Sequence, residues 1–217
     1  MKTAILVDGG FYRRRAQTIW GNVSPEERAA ELFKYCKNHL NDKYEKRNLY
    51  RIFYYDCPPM RKKLYHPFLK QQVDYAKSDL YVWTVSFFNH LKSKRKLALR
   101  MGKLAEEQAY YTLTEDTIKK ICTGRLSIDA LKKEDFRLRV EQKGVDMRIG
   151  LDISSLTFKK QVEQIVLISG DSDFVPAAKL ARREGVDFIL DPLGAAIKPE
   201  LYEHIDGLKT YVPNKKT

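Results

Sequence analysis

The chain has 217 residues, 43% of them hydrophobic, and its 40 basic against 28 acidic side chains give a net charge of +12. That apolar content excludes global disorder, and a chain of this length buries a core without disulfide or metal staples. The basic excess favours a polyanionic partner, nucleic acid before membrane, because no apolar run approaches the ~20 residues of a spanning helix.

Thr3–Asp8 reads as a strand, apolar at consecutive positions and stopped by Gly9-Gly10. Such a run suits a central strand of a parallel sheet, covered on both faces. The apolar amino-terminal run breaks at Asp8, too short for a signal peptide, so a cytoplasmic protein is expected. Phe11–Trp20 reads as a short helix. Pro25–Asn41 reads as a longer one, with Ser24 as its cap, Pro25 in its first turn and a stripe of Ala29, Leu32, Phe33 and Cys36. Leu49–Asp56 is the second strand, closed by Cys57-Pro58-Pro59. Pro67–Asn89 looks mainly helical and aromatic. Lys92, Lys94, Arg95, Lys96 and Arg100 make a basic segment, either strand or loop. Thr114–Cys122 is a short capped helix, and Phe136–Gln142 alternates as a half-exposed strand.

The last third is the most regular. Gly144–Leu156 reads as an amphipathic helix, and Gln164–Ser169 as an apolar strand that runs into Asp171-Ser172-Asp173. Phe174–Glu184 reads as a helix with Phe174, Ala177, Ala178 and Ala181 on one face and Gly185 as its stop. Val186–Leu190 is a further strand. Strands alternating with helices predict an α/β fold with a mostly parallel sheet, and in such sheets ligands sit beyond the carboxyl ends of the strands. One domain over 1–217 is expected, with an elaborated middle at about 60–135 and no repeat or low-complexity linker.

The three cysteines, Cys36, Cys57 and Cys122, are odd in number and far apart, and the four histidines form no closely spaced pair. Both facts argue against a disulfide framework or a zinc site. Any metal must then be held by carboxylates, which select hard cations such as Mg²⁺ or Mn²⁺. Asp8 ends the first strand, Asp171 and Asp173 follow the strand Gln164–Ser169, and Asp146 opens the helix Gly144–Leu156. If the two strands are neighbours, four acids converge. Converging carboxylates repel unless a cation sits between them. Such a cation polarises a phosphoryl oxygen and yields hydroxide at neutral pH. Each acid also has a structural alternative: Asp8 as a turn former, Asp173 and Asp146 as helix-start residues. Asp152 lies about 120° round the helix from Asp146, supporting the site or facing solvent.

Three blocks carry a resemblance. Ile5-Leu6-Val7-Asp8-Gly9-Gly10-Phe11, Lys143-Gly144-Val145-Asp146 with Leu151-Asp152, and Ile168-Ser169-Gly170-Asp171-Ser172-Asp173-Phe174 resemble, in that order, the NYN-domain family of the PIN-like nuclease superfamily. The likeness covers roughly 1–60 and 136–212. It implies a single three-layer α/β sandwich, PIN-like and Rossmannoid, with a Mg²⁺ or Mn²⁺ site and endonuclease activity, usually on RNA. By motif position it implies Asp8, Asp146, Asp171 and Asp173 as catalytic metal ligands, with Ser169 orienting the site. Many relatives carry an Asn in a D-G-x-N pattern after the first acid, where this chain has Phe11. Relatives often dimerise, which leaves a second copy open as a partner.

Arg13, Arg14 and Arg15 fan across about 200° of a helix, so one or two of them, Arg13 and Arg14 first, can hold phosphate near a metal. Lys94 and Arg95 centre the second basic patch. Of the aromatics, Tyr65, Tyr75, Tyr81, Trp83, Phe87 and Phe88 crowd the middle region, either as helical core or as platforms for unpaired bases. The expected function is a metal-dependent endonuclease of RNA. The alternative is a catalytically weak nucleic-acid-binding or regulatory module. A haloacid-dehalogenase-type phosphatase needs a second Asp two residues after Asp8, where Gly10 stands. A serine hydrolase built on Gly170-Asp171-Ser172 lacks the G-x-S-x-G elbow, since position 174 is Phe.

Overall fold

The computed structural model describes residues 1–41 and 45–212. β1 (Lys2–Asp8) leads directly into α1 (Gly9–Trp20). A side chain at Gly9 would stand 2.6 Å from the Tyr54 ring and from the Tyr55 carbonyl, so only glycine lets the strand turn into the helix here. α2 (Pro25–Asn38) begins with a capping box between Ser24 and Glu27 and buries Ala29, Leu32 and Cys36 as its stripe predicts. It stops at Asn38, short of the expected Asn41; residues 42–44 are outside the described part. β2 (Asn48–Asp56) follows.

The middle of the chain departs most from expectation. Pro67–Asn89 is helical only from Tyr75 onward, and its start is a hairpin turn and a strand. β3 (Lys63–His66) and β4 (Gln71–Asp74) form an antiparallel hairpin whose turn places Lys70 at φ 50°. Two capping side chains then interrupt the segment: Asp74 caps a single 3-10 turn, and Ser78 caps α3 (Asp79–Lys92) by accepting from the Tyr81 N–H. Helical spacing of apolar residues does not reveal such interruptions, because Asx and Ser caps act through the backbone. β5 (Leu97–Met101) follows a turn with Lys96 at φ 62°. Beyond it β6 (Lys103–Leu104), β7 (Tyr110–Leu113), α4 (Glu115–Cys122), β8 (Phe136–Arg139) and β9 (Gln142–Lys143) form two small antiparallel pairs, β6 with β9 and β7 with β8. α4 is capped by Thr114.

α5 (Val145–Phe158), β10 (Gln164–Ile168), a 3-10 turn at Ser172–Phe174, α6 (Val175–Arg183), β11 (Asp187–Asp191), the short α7 (Pro199–Tyr202) and β12 (Gly207–Leu208) complete the fold. Six strands form one sheet in the order β12-β11-β10-β1-β2-β5, every neighbouring pair parallel. Alternate residues of β1 feed two cores. Ala4 and Leu6 meet Ile149 and Ile153 of α5 and Ala178 and Ala181 of α6. Ile5 and Val7 meet Tyr12 and Ala16 of α1, Leu32 of α2 and Phe87 of α3. The result is the expected three-layer α/β sandwich, here with an entirely parallel central sheet. The strand order carries the chain outward in both directions from the β1–β10 pair, so the switch point of the sheet lies between those two strands.

Candidate active site

The register pairs Val7 with Ile168, which sets Asp8 opposite Ser169 at the carboxyl edge of the sheet. The Asp8 carboxylate caps α1, accepting from the Phe11 N–H at 3.0 Å, and it accepts from the buried Ser169 hydroxyl at 3.3 Å. Ser169 Oγ in turn accepts from the Asp171 N–H at 3.3 Å, and Asp171 Oδ1 accepts from the Asp173 N–H at 3.0 Å. Ser169 therefore links the first acid to the Asp171–Asp173 turn. Asp146 stands in the first turn of α5, which opens at Gly144 in a left-handed conformation (φ 77°) without a side-chain cap. The free N–H groups and dipole of that helix start favour a carboxylate.

Electrostatics tie the four acids into one group. Burial pushes the Asp8 carboxyl above its ordinary value and the charge of Asp146 adds to the rise, while the Phe11 N–H, the Ser169 hydroxyl and the Arg14 charge oppose it. Asp146 is exposed, and its carboxyl is raised by desolvation at the helix start, then by Asp171 and by Asp173. Asp146 is thus the electrostatic bridge between the strand-end acid and the turn acids. Among the described residues none of the four is in an ion pair, and no three His, Cys, Asp or Glu side chains form a ready-made ligand set. The acids are gathered at Coulomb range on one rim. A set of carboxylates with no ion-paired cation among the described residues suits a hard divalent cation. Lys198, at the rim, donates to the Ser172 hydroxyl at 3.1 Å and to none of the four carboxylates.

The three arginines of α1 separate as their helical fan requires. Arg13 grips Asp56, with Nη2 donating to Oδ1 at 3.0 Å and Nε 3.0 Å from Oδ2. Arg15 donates to the Leu193 carbonyl. Arg14 is exposed, and its guanidinium forms no ion pair or hydrogen bond among the described residues. A methyl group added at Gly10 would lie 3.6 Å from Asp8 Oδ1, 3.8 Å from Gln142 Oε1 and 3.9 Å from Arg14 Nη1. Gly10 is therefore a narrow doorway between Asp8 and the basic helix face, one that a methyl group would fill. Lys94 and Arg95 are not brought there. They precede β5 and lie at the amino edge of the sheet, one strand length from the acids. Asp152 neither joins the acids nor faces solvent: it accepts from the Tyr55 hydroxyl at 2.8 Å and pairs with Arg100 at 3.0 Å.

Two further strand-end acids escaped the sequence reading. Asp56, which ends β2, is 1% exposed and accepts from Arg13, from the Tyr54 hydroxyl at 3.1 Å and from the Cys57 N–H at 2.8 Å. Asp191, which ends β11, is fully buried against the Tyr35 hydroxyl and His39 Nε2. Both occupy the position in their strands that Asp8 occupies in β1, and that positional likeness was the available signal.

A sequence model of the NYN domain family matches residues 71–196, more than half of the chain. The chain belongs to the NYN domain family, which makes its α/β fold a nuclease-like, PIN-related one. That family consists in general of nuclease-like hydrolases that typically use divalent metals. The matched span contains Asp146, Ser169, Asp171 and Asp173, begins beyond Asp8 and reaches back into the middle region. No curated protein matches the chain. A crystal structure of a protein of unknown function from Vibrio parahaemolyticus is similar at 14% identity, covering 95% of this chain and 90% of that one with a TM-score of 0.48. Among the described residues no helix is long and apolar enough to cross a membrane.

Proposed function

We propose that this protein is a Mg²⁺- or Mn²⁺-dependent endonuclease that hydrolyses phosphodiester bonds, in RNA before DNA. The observation that carries the reading is the placement of Asp8, Asp146, Asp171 and Asp173 at one edge of the sheet, with Ser169 linking Asp8 to the Asp171 turn and no ion-paired cation among the described residues. These four would hold the metal. When bound, a divalent cation supplies Lewis-acid activation of phosphate and water at neutral pH. The chain's own groups do the rest. Ser169 and the Phe11 N–H hold Asp8 in one orientation. The α5 amino terminus steadies Asp146. Arg14, across the Gly10 doorway, forms no ion pair with the acids among the described residues and draws the substrate phosphate toward them. The net charge of +12 favours polyanion association around a local acidic pocket.

A second reading, a nucleic-acid-binding module of low activity, has one specific observation in its favour. Phe11 stands where many relatives have Asn, and its ring packs over Gly170, 3.0 Å from where a Cβ would lie. An apolar ring there supplies no polar contact to metal or substrate.

Cleavage of a labelled single-stranded RNA, with Mn²⁺, with Mg²⁺ and with EDTA, separates the two readings when wild type and Asp8→Asn run side by side. The expected result is metal-dependent cleavage that disappears in Asp8→Asn while RNA binding persists. Salt-sensitive binding with no cleavage under any condition would instead establish the binding module.

A further inference from the structure

Gly10, next to Asp8, lines a cleft of about 530 Å³ between α1, Asn22–Val23 and the amino end of α3. Trp83 forms one wall. One face of its indole stacks on Phe87, ring centroids 5.2 Å apart and 20° from parallel, and its Nε1–H donates to the Val23 carbonyl at 3.0 Å. The ring is therefore fixed before any ligand arrives, which lowers the ordering cost of stacking on it. Two cations of the lining are already committed, Arg13 to Asp56 and Arg28 to Glu31 and the Gly21 carbonyl. Arg14 is not. Gln17 and Asn22 offer exposed amides, and Gln142 lies at the doorway. Asp79 at the α3 end repels phosphate, so the anionic part of a ligand is directed toward Arg14. The volume is that of a small-molecule site. A fixed aromatic face, two free amides and a free guanidinium match the parts of a nucleotide.

We infer that this cleft binds one unpaired nucleotide of the substrate strand, its base against Trp83 and its phosphate at Arg14, so that the strand is single where it enters the acid rim. A base still stacked in a duplex cannot enter the cleft. The inference rests on the nuclease reading for the nature of the substrate, and it names the form that substrate takes.

The chain has two tryptophans, Trp20 and Trp83, so Trp20→Phe leaves Trp83 as the lone indole reporter. The test titrates this protein with a short oligoadenylate and with a duplex RNA in EDTA, which suppresses cleavage. The single strand quenches Trp83 emission and the duplex does not at equal phosphate concentration. Trp83→Leu weakens oligoadenylate binding by about 5- to 150-fold, the range of one lost base–aromatic stack, and Trp83→Phe retains most of the affinity. Arg14→Ala weakens binding as well and lowers its salt dependence by about one phosphate contact. If Trp83→Leu fails to fold, the quench and the Arg14→Ala titration decide. Oligoadenylate binding without quenching, equal quenching by the duplex, or undiminished affinity in both Trp83→Leu and Arg14→Ala would overturn the subsite. Metal-dependent cleavage with a silent Trp83 removes the subsite alone. Quenching without cleavage under any metal condition removes the nuclease and keeps the subsite.

Discussion

β1 and β2 lie side by side and each ends in an aspartate, Asp8 half-buried and Asp56 buried, yet the two ends are finished in opposite ways. Asp56 is raised first by burial and pulled back by Arg13, and three donors hold its carboxylate. Asp8 is also raised first by burial, but its next charged neighbour is Asp146, which pushes the same way. Both ends face α1, which carries arginines at 13 and 14, and the chain gives its gripping guanidinium to Asp56. A buried carboxylate costs several kcal/mol unless it is paired. One strand end meets that cost inside the protein. The other has two hydrogen-bond donors and no ion-paired cation among the described residues, which distinguishes a structural acid from a candidate ligand at the same edge of one sheet.

The comparison breaks most visibly at Arg13. Arg13→Ala leaves Asp56 buried and unpaired, and we expect a loss of about 3 kcal/mol in chemical denaturation, with Arg13→Ala/Asp56→Asn recovering most of it. The pH dependence has a defined sign. Asp56 is raised above its ordinary 3.8, and losing Arg13 raises it further. The native state then holds a proton that the unfolded state has released. Stability therefore falls as pH climbs from the ordinary carboxylate value through the native one, and is level above it. The variant shows a deeper fall over a wider span than wild type. An Arg13→Ala protein as stable as wild type at every pH would mean that water reaches Asp56 and that the two strand ends are alike.

Ser169→Ala acts on the other end. It removes the hydroxyl that joins Asp8 to the Asp171 N–H. Supporting contacts of metal ligands are typically worth about 10- to 100-fold in affinity or activity, so metal-dependent cleavage falls by that factor. Unfolding free energy changes by only about 1 kcal/mol. The contrast with Arg13→Ala is the point: one variant loses stability, the other activity. A Ser169→Ala protein that loses about 3 kcal/mol of stability and no cleavage would reverse the assignment.

What could be read in the sequence follows the same division. The strand at Thr3–Asp8 and the Asp171–Asp173 turn were legible because continuous apolar runs end abruptly in acids, and a parallel sheet brings such ends to one edge. Asp56 was not singled out because its partner, Arg13, lies 43 positions away, and one sequence shows no such pairing. The fate of Arg13, Arg14 and Arg15 was legible only as a fan; which spoke met which group depended on β2 and on the loop after β11. The segment 67–78 was misread because helical apolar spacing there is cut by a hairpin turn and two side-chain caps. The role of Trp83, core or platform, needed the position of Phe87 behind it and the open cleft before it.

The smallest effect is expected at the opposite edge of the sheet. Lys94 and Arg95 stand before β5, about 16 Å of strand from the carboxyl ends where the acids gather. A nucleotide seated at Arg14 and Trp83 runs along the carboxyl edge and does not pass the Ser93–Lys96 turn. Lys94→Ala/Arg95→Ala should therefore change cleavage by less than about twofold, as exposed charges away from a contact usually do, and leave the slope of log affinity against log salt unaltered. Each phosphate contact contributes about 0.7 to that slope for a single strand, so losing two would be plain in a salt titration. A slope lowered by two contacts in this variant would mean that the strand wraps round the sheet from edge to edge, and the contrast between the edges would then divide chemistry from grip rather than site from scaffold.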